Sequence, residues 1–248
     1  MCLVAKPAPD FELEGYFNGS FGKYKLSDNR GKWVILLFYS LDFTFVCPTE
    51  VLNFSDASEE LSKLNCQIFG ISVDSKYVHK AWVDTKREEG GLGGSLNYPL
   101  LSDINKQTAR DYGILMEEEG VALRGLFLIN PEGIVMHTTI NNLSVGRSVN
   151  ETKRVLKAFQ FVTTHEGQVC PADWEEGEDT MVTESEQMKK YLATHQEQRS
   201  SLRAASAAPF HPRGGHRPLF FTGLPEGCPK ILSQNGQIPG IFPSFGLQ

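Results

Sequence analysis

The order of apolar and polar residues in the first 165 positions predicts strands that alternate with helices. Residues 33–39 form an uninterrupted apolar run, which is typical of a strand buried on both faces of a sheet. Positions 51, 54, 57, 61 and 64 are then apolar at near-helical spacing, and residues 67–73 predict the next strand. This alternation indicates an α/β fold with a partly parallel central sheet flanked by helices.

Three later segments extend the same pattern. Residues 75–89 predict a helix that stops at Gly90-Gly91, and residues 126–130 and 134–140 predict a hairpin around Pro131-Glu132-Gly133. The last helix of the predicted core covers residues 149–163, and four of its apolar residues face inward: Val155, Leu156, Phe159 and Val162. An acidic stretch at 173–179 then leads to a short helix near residues 184–193.

The composition changes near residue 199 of the 248 residues. Beyond it lie five basic residues against one acid, with seven of the 13 prolines and no sustained period of either kind. We therefore predict a domain at 1–165, an arm at 166–198 and a flexible basic tail, rich in proline and glycine, at 199–248.

Charge and hydropathy exclude several classes of function. The net charge of −6 argues against a general nucleic-acid partner. No apolar run approaches the roughly 18 residues that cross a bilayer, so we expect no membrane role. The N-terminus has no basic region followed by an apolar core, so we expect no secretory signal and a cytoplasmic location.

The cysteines favour redox chemistry over a disulfide scaffold. There are five of them, an odd number: Cys2, Cys47, Cys66, Cys170 and Cys228. The absence of Cys-x-x-Cys argues against a dithiol oxidoreductase and a c-type haem site. The six histidines lack metal-ligand spacing, so we expect neither a metal nor another cofactor.

Cys47 lies between the buried strand and an amphipathic helix. Pro48 suits the first helical turn, so the sulfur is expected at a helix N-terminus, where free amides and the helix dipole favour a thiolate. Thr44, three residues earlier, has a hydroxyl that could donate to the sulfur or to a peroxide oxygen. The local residues also fit a buried structural cysteine capped by Pro48, and that alternative stays open.

The segment FYSLDFTFVCPTE closely resembles the peroxidatic segment of the typical two-cysteine peroxiredoxins. Further matches follow in family order, across roughly residues 4 to 195: Ser72-Val73-Asp74-Ser75, Gly91-Leu92-Gly93, Arg124-Gly125-Leu126-Phe127, Val145-Gly146-Arg147-Ser148 and Val169-Cys170-Pro171. The resemblance implies a thioredoxin-like fold with a C-terminal arm. It also implies a peroxidase that reduces hydrogen peroxide and organic hydroperoxides.

The same resemblance implies a role for each site residue. Cys47 is the peroxidatic nucleophile, Thr44 hydrogen-bonds the thiolate and the peroxide, and Arg124 supplies the stabilising cation. Glu50 and Arg147 orient Arg124. Without the resemblance, Arg124 would be interpreted as an ordinary surface arginine, and the other two as solvated charges.

One position departs from the family pattern, because the family usually has proline where this chain has Ser40. Serine removes a backbone constraint and adds a hydroxyl that can solvate the thiolate. We expect activity to survive in a looser site.

The implied reaction uses two cysteines. The Cys47 thiolate attacks the O–O bond and becomes a sulfenic acid, which condenses with Cys170 of the other subunit of a homodimer. The helix at Cys47 must unwind locally, since a disulfide needs Cα atoms within roughly 7 Å. A thioredoxin-like protein then restores both thiols.

The family's control of overoxidation is only partly present. In relatives, a glycine segment and a Tyr-Phe pair in the last helix slow the unwinding of the helix that begins at the peroxidatic cysteine. This chain has the glycine segment, Gly90-Gly91-Leu92-Gly93-Gly94, but it has Tyr191-Leu192 instead of the Tyr-Phe pair. We therefore expect intermediate sensitivity to overoxidation.

Two other functions remain open. One is a ring-forming holdase or redox-signalling relay, in which five dimers contact one another through Trp82 and the 43–45 loop. The other is a binding module with a dead site.

Overall fold

The computed structural model describes residues 2–194. The predicted tail at 199–248 and Cys228 lie outside the described residues. The boundaries proposed at 165 and 198 therefore stay a prediction.

A seven-stranded mixed sheet occupies the centre of the domain. The strands of the described chain are β1 (Glu12–Phe17), β2 (Ser20–Lys25), β3 (Trp33–Phe38), β4 (Cys66–Ser72), β5 (Leu100–Ser102), β6 (Leu115–Met116), β7 (Val121–Ala122), β8 (Arg124–Ile129), β9 (Val135–Asn141), β10 (Gln168–Val169) and β11 (Met181–Val182). The order in the large sheet is β2-β1-β5-β4-β3-β8-β9. Strands β3, β4 and β5 run parallel to one another, and the other pairs are antiparallel.

Helices cover both faces of this sheet. They are α1 (Cys47–Asp56), α2 (Ser58–Lys63), α3 (Lys76–Asp84), α4 (Gln107–Asp111) and α5 (Val149–Thr164). Residues 185–194 form a further helical stretch at the end of the described range. No helix in residues 2–194 combines the length and the apolar character needed to span a bilayer.

The apolar run of β3 separates two cores, because successive side chains of a strand point to opposite faces. Ile35 and Leu37 pack with buried residues of α1, α2, α3 and α5. Val34 and Leu36 pack on the other face with α4 and the N-terminal segment. The predicted α/β class, with a central mixed sheet flanked by helices, is confirmed.

Three predicted elements differ in detail from the structure. The helix expected from position 51 to 64 divides at Ala57 into α1 and α2. The strand expected over 126–130 begins earlier, at Arg124, and Leu123 separates it from β7. On α5, Val155 and Leu156 are buried as predicted, whereas Phe159 and Val162 are only half-buried.

The helix predicted over 75–89 ends at Asp84, since the glycine segment supplies its C-terminal hydrogen bonds. The amide of Leu92 donates to Trp82 O at 2.9 Å, and that of Gly94 donates to Val83 O at 2.6 Å. These bonds satisfy carbonyl groups that the end of a helix leaves without a partner. The glycine segment, residues 90–94, therefore caps the C-terminal end of α3.

Gly91 allows this close approach, and replacing it with alanine should destabilise the fold. A Cβ there would lie 2.1 Å from Thr85 O, so backbone must move. We expect the free energy of unfolding in urea to fall by about 1–3 kcal/mol. Gly22→Ala is the control, because its Cβ would meet only the Tyr24 side chain, at 3.3 Å. Equal losses in the two variants would contradict the steric argument.

Candidate active site

Cys47 is the first residue of α1, and its side chain is fully buried. Pro48 occupies the first turn, where a missing amide proton removes no helical hydrogen bond. The positive end of the helix dipole therefore lies at the sulfur and favours its ionised form. Val46, the residue before the helix, provides no side-chain cap.

Arg124 connects this sulfur to a buried carboxylate. Arg124 is the first residue of β8, and its Nη1 donates to Cys47 Sγ at 3.3 Å and to Glu50 Oε2 at 2.7 Å. Its Nε donates to Leu143 O at 2.8 Å, which fixes the plane of the guanidinium. The side chains of Arg124 and Glu50 are almost completely buried, so water screens their attraction little.

Arg147 holds the same carboxylate from the other side. Its backbone amide and its Nε both donate to Glu50 Oε1 at 2.7 Å, and its Nη2 donates to Oε2 at 3.0 Å. The Nη1 of Arg147 donates to Gly125 O at 2.6 Å. Burial opposes ionisation of Glu50, but the bonds and charge of Arg147 outweigh it and hold the pKa of this carboxyl below its usual value.

The buried charges explain why the sulfur is expected to ionise. Arg124 and Arg147 bring two positive charges and Glu50 brings one negative charge, so a thiolate at Cys47 makes the cluster neutral. Burial of the thiol opposes its ionisation. The Ser40 hydroxyl, the Thr44 hydroxyl and the Arg124 guanidinium together act more strongly in the other direction and hold the pKa of Cys47 below its ordinary value.

The loop before Cys47 carries two hydroxyl groups, those of Ser40 and Thr44, and they have different hydrogen-bond partners. Ser40 is buried, and its Oγ lies 3.4 Å from Cys47 Sγ. Thr44 donates its hydroxyl proton to Leu41 O at 2.8 Å. The Thr44 hydroxyl also acts on the sulfur and lowers the pKa of Cys47, so Leu41 O and the sulfur compete for its single proton. The role predicted for Thr44 toward the peroxide stays a prediction.

Cys170 lies apart from this cluster, just after β10, and is half-buried. Its Sγ lies 3.8 Å from Ala158 O on α5, and burial raises the pKa of its thiol. The segment is anchored by Trp174, whose ring is buried and whose carbonyl accepts a bond from Arg154 at 3.1 Å. Cys47 and Cys170 are both free thiols in this chain.

The family model described as AhpC/TSA family matches residues 4–138, more than half of the chain. The chain belongs to the AhpC/TSA family of peroxiredoxins. The model of the C-terminal domain of 1-Cys peroxiredoxin matches residues 158–194. This membership confirms two predictions from the sequence, the thioredoxin-like fold and the class of enzyme, an oxidoreductase that acts as a peroxidase.

Relatives of this peroxiredoxin are similar along most of its described part. Peroxiredoxin-2 of Bos taurus is 51% identical over 192 residues, which are 77% of this chain and 96% of the relative. Peroxiredoxin tpx1 of Schizosaccharomyces pombe is 53% identical over 192 residues, covering 77% and 98%. The crystal structure of reduced Plasmodium vivax 2-Cys peroxiredoxin superposes with a TM-score of 0.75 at 42% identity, covering 78% of this chain and 100% of that one.

A buried polar network supports the loop that carries Ser40 and Thr44, and sequence reasoning missed it. Asp42 accepts bonds from Tyr39 OH at 2.8 Å and lies 2.8 Å from His79 Nδ1, and its backbone amide donates to Asp74 Oδ2 at 2.8 Å. Burial raises the pKa of Asp42. The available signal was the single charged residue, Asp42, in this loop.

Of the aromatic residues predicted at contacts between dimers, those of the loop are exposed, whereas Trp82 is not. Phe45 is 94% exposed and Phe43 is 47% exposed. Trp82, which was expected at a contact between subunits, is fully buried, and its ring centroid lies 6.2 Å from that of Phe43. Trp82 therefore supports the loop from below instead of forming its surface.

Within residues 2–194, His, Cys, Asp and Glu side chains do not form a cluster of three or more that could hold a metal ion. The expectation of a reaction without metal or cofactor stays a prediction.

Replacing Arg124 with glutamine should move the pH dependence of the reaction. A lowered thiol pKa keeps the thiolate present below the ordinary value, and the thiolate is lost as the pH falls through the lowered pKa. Loss of a bond to a charged group is worth about 1.5–3 kcal/mol, or roughly one to two pH units. We expect the acid limb of the single-turnover rate with hydrogen peroxide to move upward by that amount.

Arg110→Gln is the matched control, because Arg110 pairs with Glu117 at the surface and should leave the acid limb unchanged. An unchanged acid limb in Arg124→Gln would contradict the role given to this guanidinium.

Proposed function

We propose that this chain reduces hydrogen peroxide and organic hydroperoxides with Cys47 as the nucleophile. The observation that supports this most directly is the contact of 3.3 Å between the Cys47 sulfur and Arg124, inside a buried cluster that a thiolate neutralises. The dead-site alternative requires an ordinary thiol, and the donors around this sulfur argue against it.

In the first step, a lone pair of the thiolate forms an S–O bond to the nearer peroxide oxygen while the O–O bond breaks. The electrons of that bond leave with the distal oxygen, which takes up a proton and departs as water or an alcohol. Arg124 stabilises the sulfur before the step and the leaving oxygen during it. Glu50 and Arg147 keep its guanidinium in place.

In the second step, Cys170 of the partner subunit attacks the sulfenic acid, and a disulfide and water form. The first turn of α1 must open for this, because Cys47 is buried and the two Cα atoms must approach within about 7 Å. The lack of a side-chain cap at Val46 supports local opening at this end of the helix. A thioredoxin-like dithiol protein then reduces the disulfide by exchange.

A homodimer fits the open edge of the sheet. Strand β9 pairs with β8 on one side and is the last strand of the sheet. Its outer edge bonds to Ala5 and Lys6 at Val135, and beyond that residue it pairs with no other strand of residues 2–194. Such an edge is a template for pairing with another chain. The buried hydroxyl of Thr138, in this strand, has no hydrogen-bond partner in the described chain. We therefore propose that β9 meets a second copy.

Three finer features remain part of the proposal. The exposed Phe43 and Phe45 are available for contacts that would join five dimers in a ring. Leu192, the residue that stands in place of phenylalanine, is 55% exposed, which supports intermediate sensitivity to overoxidation. We propose a cytoplasmic location.

The roles of the two cysteines can be separated by non-reducing electrophoresis after one equivalent of hydrogen peroxide. We expect wild type to give a covalent dimer, and Cys170→Ser and Cys47→Ser to lose it. Cys66→Ser is the control, because Cys66 is buried at the start of β4 and should leave the dimer band intact.

The same cysteine variants test the holdase alternative, which the exposed Phe45 favours. Peroxide consumption should disappear in Cys47→Ser. A variant that still consumes peroxide would overturn the proposed enzyme. Protection of a client protein from aggregation that persists in Cys47→Ser would show a separate holdase activity.

The proposed dimer predicts that a charge on β9 is disruptive. Ile140 is 47% exposed in the single chain, and an aspartate there would be buried without a partner at a β9 interface. We expect Ile140→Asp to sediment as a monomer at concentrations at which wild type is dimeric. Ile104→Asp, at an exposed isoleucine outside β9, should stay dimeric. Unchanged sedimentation of Ile140→Asp would contradict a β9 interface.

A further inference from the structure

Ser40 lies two residues after the end of β3, and the chain on both sides of it is fixed. The amide of Tyr39 donates to Ile71 O at 3.0 Å, which continues the pairing of β3 with β4. On the other side, the carboxylate of Asp42 accepts the Tyr39 hydroxyl at 2.8 Å. Ser40 itself is buried, with its Oγ 3.4 Å from Cys47 Sγ. The hydroxyl is therefore held at the sulfur by the backbone around it.

The direction of this hydrogen bond follows from the protonation of the sulfur. A thiolate has no proton, so the Ser40 hydroxyl must be the donor whenever Cys47 is ionised. Within residues 2–194, the Ser40 hydroxyl forms its hydrogen bond with the Cys47 sulfur. Thr44 directs its own proton to Leu41 O instead. The sulfur thus has Ser40 Oγ and Arg124 Nη1 within hydrogen-bond distance, and the Thr44 hydroxyl adds to their effect on its pKa.

We propose that Ser40 is a catalytic residue of this chain, whose hydroxyl donates to the Cys47 thiolate and, together with Arg124, keeps it ionised. This inference rests on the proposed function and deepens it. It gives Ser40 a donor role toward the thiolate, in addition to the role that the resemblance gave to Thr44.

The donor has opposite effects on the amount of thiolate and on its reactivity. It stabilises the anion more than the thiol, so the thiolate persists to lower pH. It also makes the sulfur lone pair a weaker nucleophile toward the peroxide, because the nucleophilicity of a thiolate falls as its pKa falls. Ser40 therefore extends peroxide reduction toward acid pH and lowers the rate of each ionised sulfur at alkaline pH.

The hydrogen bond from Ser40 to the Cys47 sulfur has its largest effect before the peroxide is attacked. When the sulfur lone pair forms the S–O bond and the O–O electrons leave with the distal oxygen, the sulfur ceases to be an anion. The Ser40 hydroxyl then faces a neutral sulfenic acid. An interaction that is stronger in the ground state than after attack controls ionisation and does not accelerate the bond-breaking step.

The test compares Ser40→Ala, which removes the hydroxyl, with Ser40→Thr, which keeps one. The readout is the ultraviolet absorbance of the thiolate as a function of pH, taken as the difference from the same chain carrying Cys47→Ser. We expect Ser40→Ala to raise the titration midpoint of Cys47 by about one pH unit. Ser40→Thr should keep the midpoint near that of wild type, and Ser40→Pro should behave like Ser40→Ala.

Ser55→Ala is the control for the loss of any buried serine hydroxyl. Ser55 lies in the same helix as Cys47, and its hydroxyl accepts from Asn97 N at 3.0 Å, away from the sulfur. Its midpoint should equal that of wild type.

An unchanged or lowered midpoint in Ser40→Ala would overturn the inference, and so would a Ser40→Thr variant that titrates like Ser40→Ala. If Ser40→Ala fails to fold, the comparison of Ser40→Thr with Ser40→Pro decides in the same way. Failure of the proposed function has a different signature, because wild-type Cys47 itself would then titrate at or above about 8.5, the value of a free thiol.

Discussion

A single buried carboxylate, that of Glu50, accepts four hydrogen bonds from two arginines and thereby sets the charge at the Cys47 sulfur. Two guanidinium groups on one carboxylate leave one positive charge uncompensated in a low-dielectric interior. Ionisation of Cys47 removes that excess. The same thiol buried alone would have a raised pKa, as burial causes at Cys66, so the arginine pair reverses the effect of burial.

The fold brings these groups together from distant parts of the sequence. Cys47 and Glu50 lie on the first turn of α1, Arg124 begins β8, and Arg147 directly precedes the Ser148 cap of α5. Removing one partner of a buried ion pair costs about 3–5 kcal/mol because the other charge is left buried and uncompensated, so each member of the cluster requires the others. The cluster must nevertheless open, because Cys47 is fully buried and the resolving step needs it exposed. The short, uncapped first turn of α1 is where the structure permits that opening.

The sequence predicted the elements whose signal is local. The apolar run of β3, the helix α5 and the β8–β9 hairpin were all evident from periodicity. The edge strand β2 was missed because its side chains are mostly exposed, and the early end of α3 because tertiary hydrogen bonds from the glycine segment decide it. Burial of Glu50 and Arg147 was also beyond local pattern, since charged residues at these positions resemble a solvated surface. The conformation of the loop between Ser40 and Cys47 decides where Ser40 and Thr44 direct their protons, and periodicity does not predict that conformation.

We expect the Cys47 sulfur to be ionised at neutral pH, whereas the Cys66 and Cys170 thiols stay protonated. Carbon NMR of cysteine Cβ, with Cys47 assigned by loss of its resonance in Cys47→Ser, tests this in a single sample. The account predicts the Cys47 resonance at the thiolate position and the Cys66 and Cys170 resonances at thiol positions, because burial raises the pKa of both. A Cys47 resonance at the thiol position at neutral pH would contradict it.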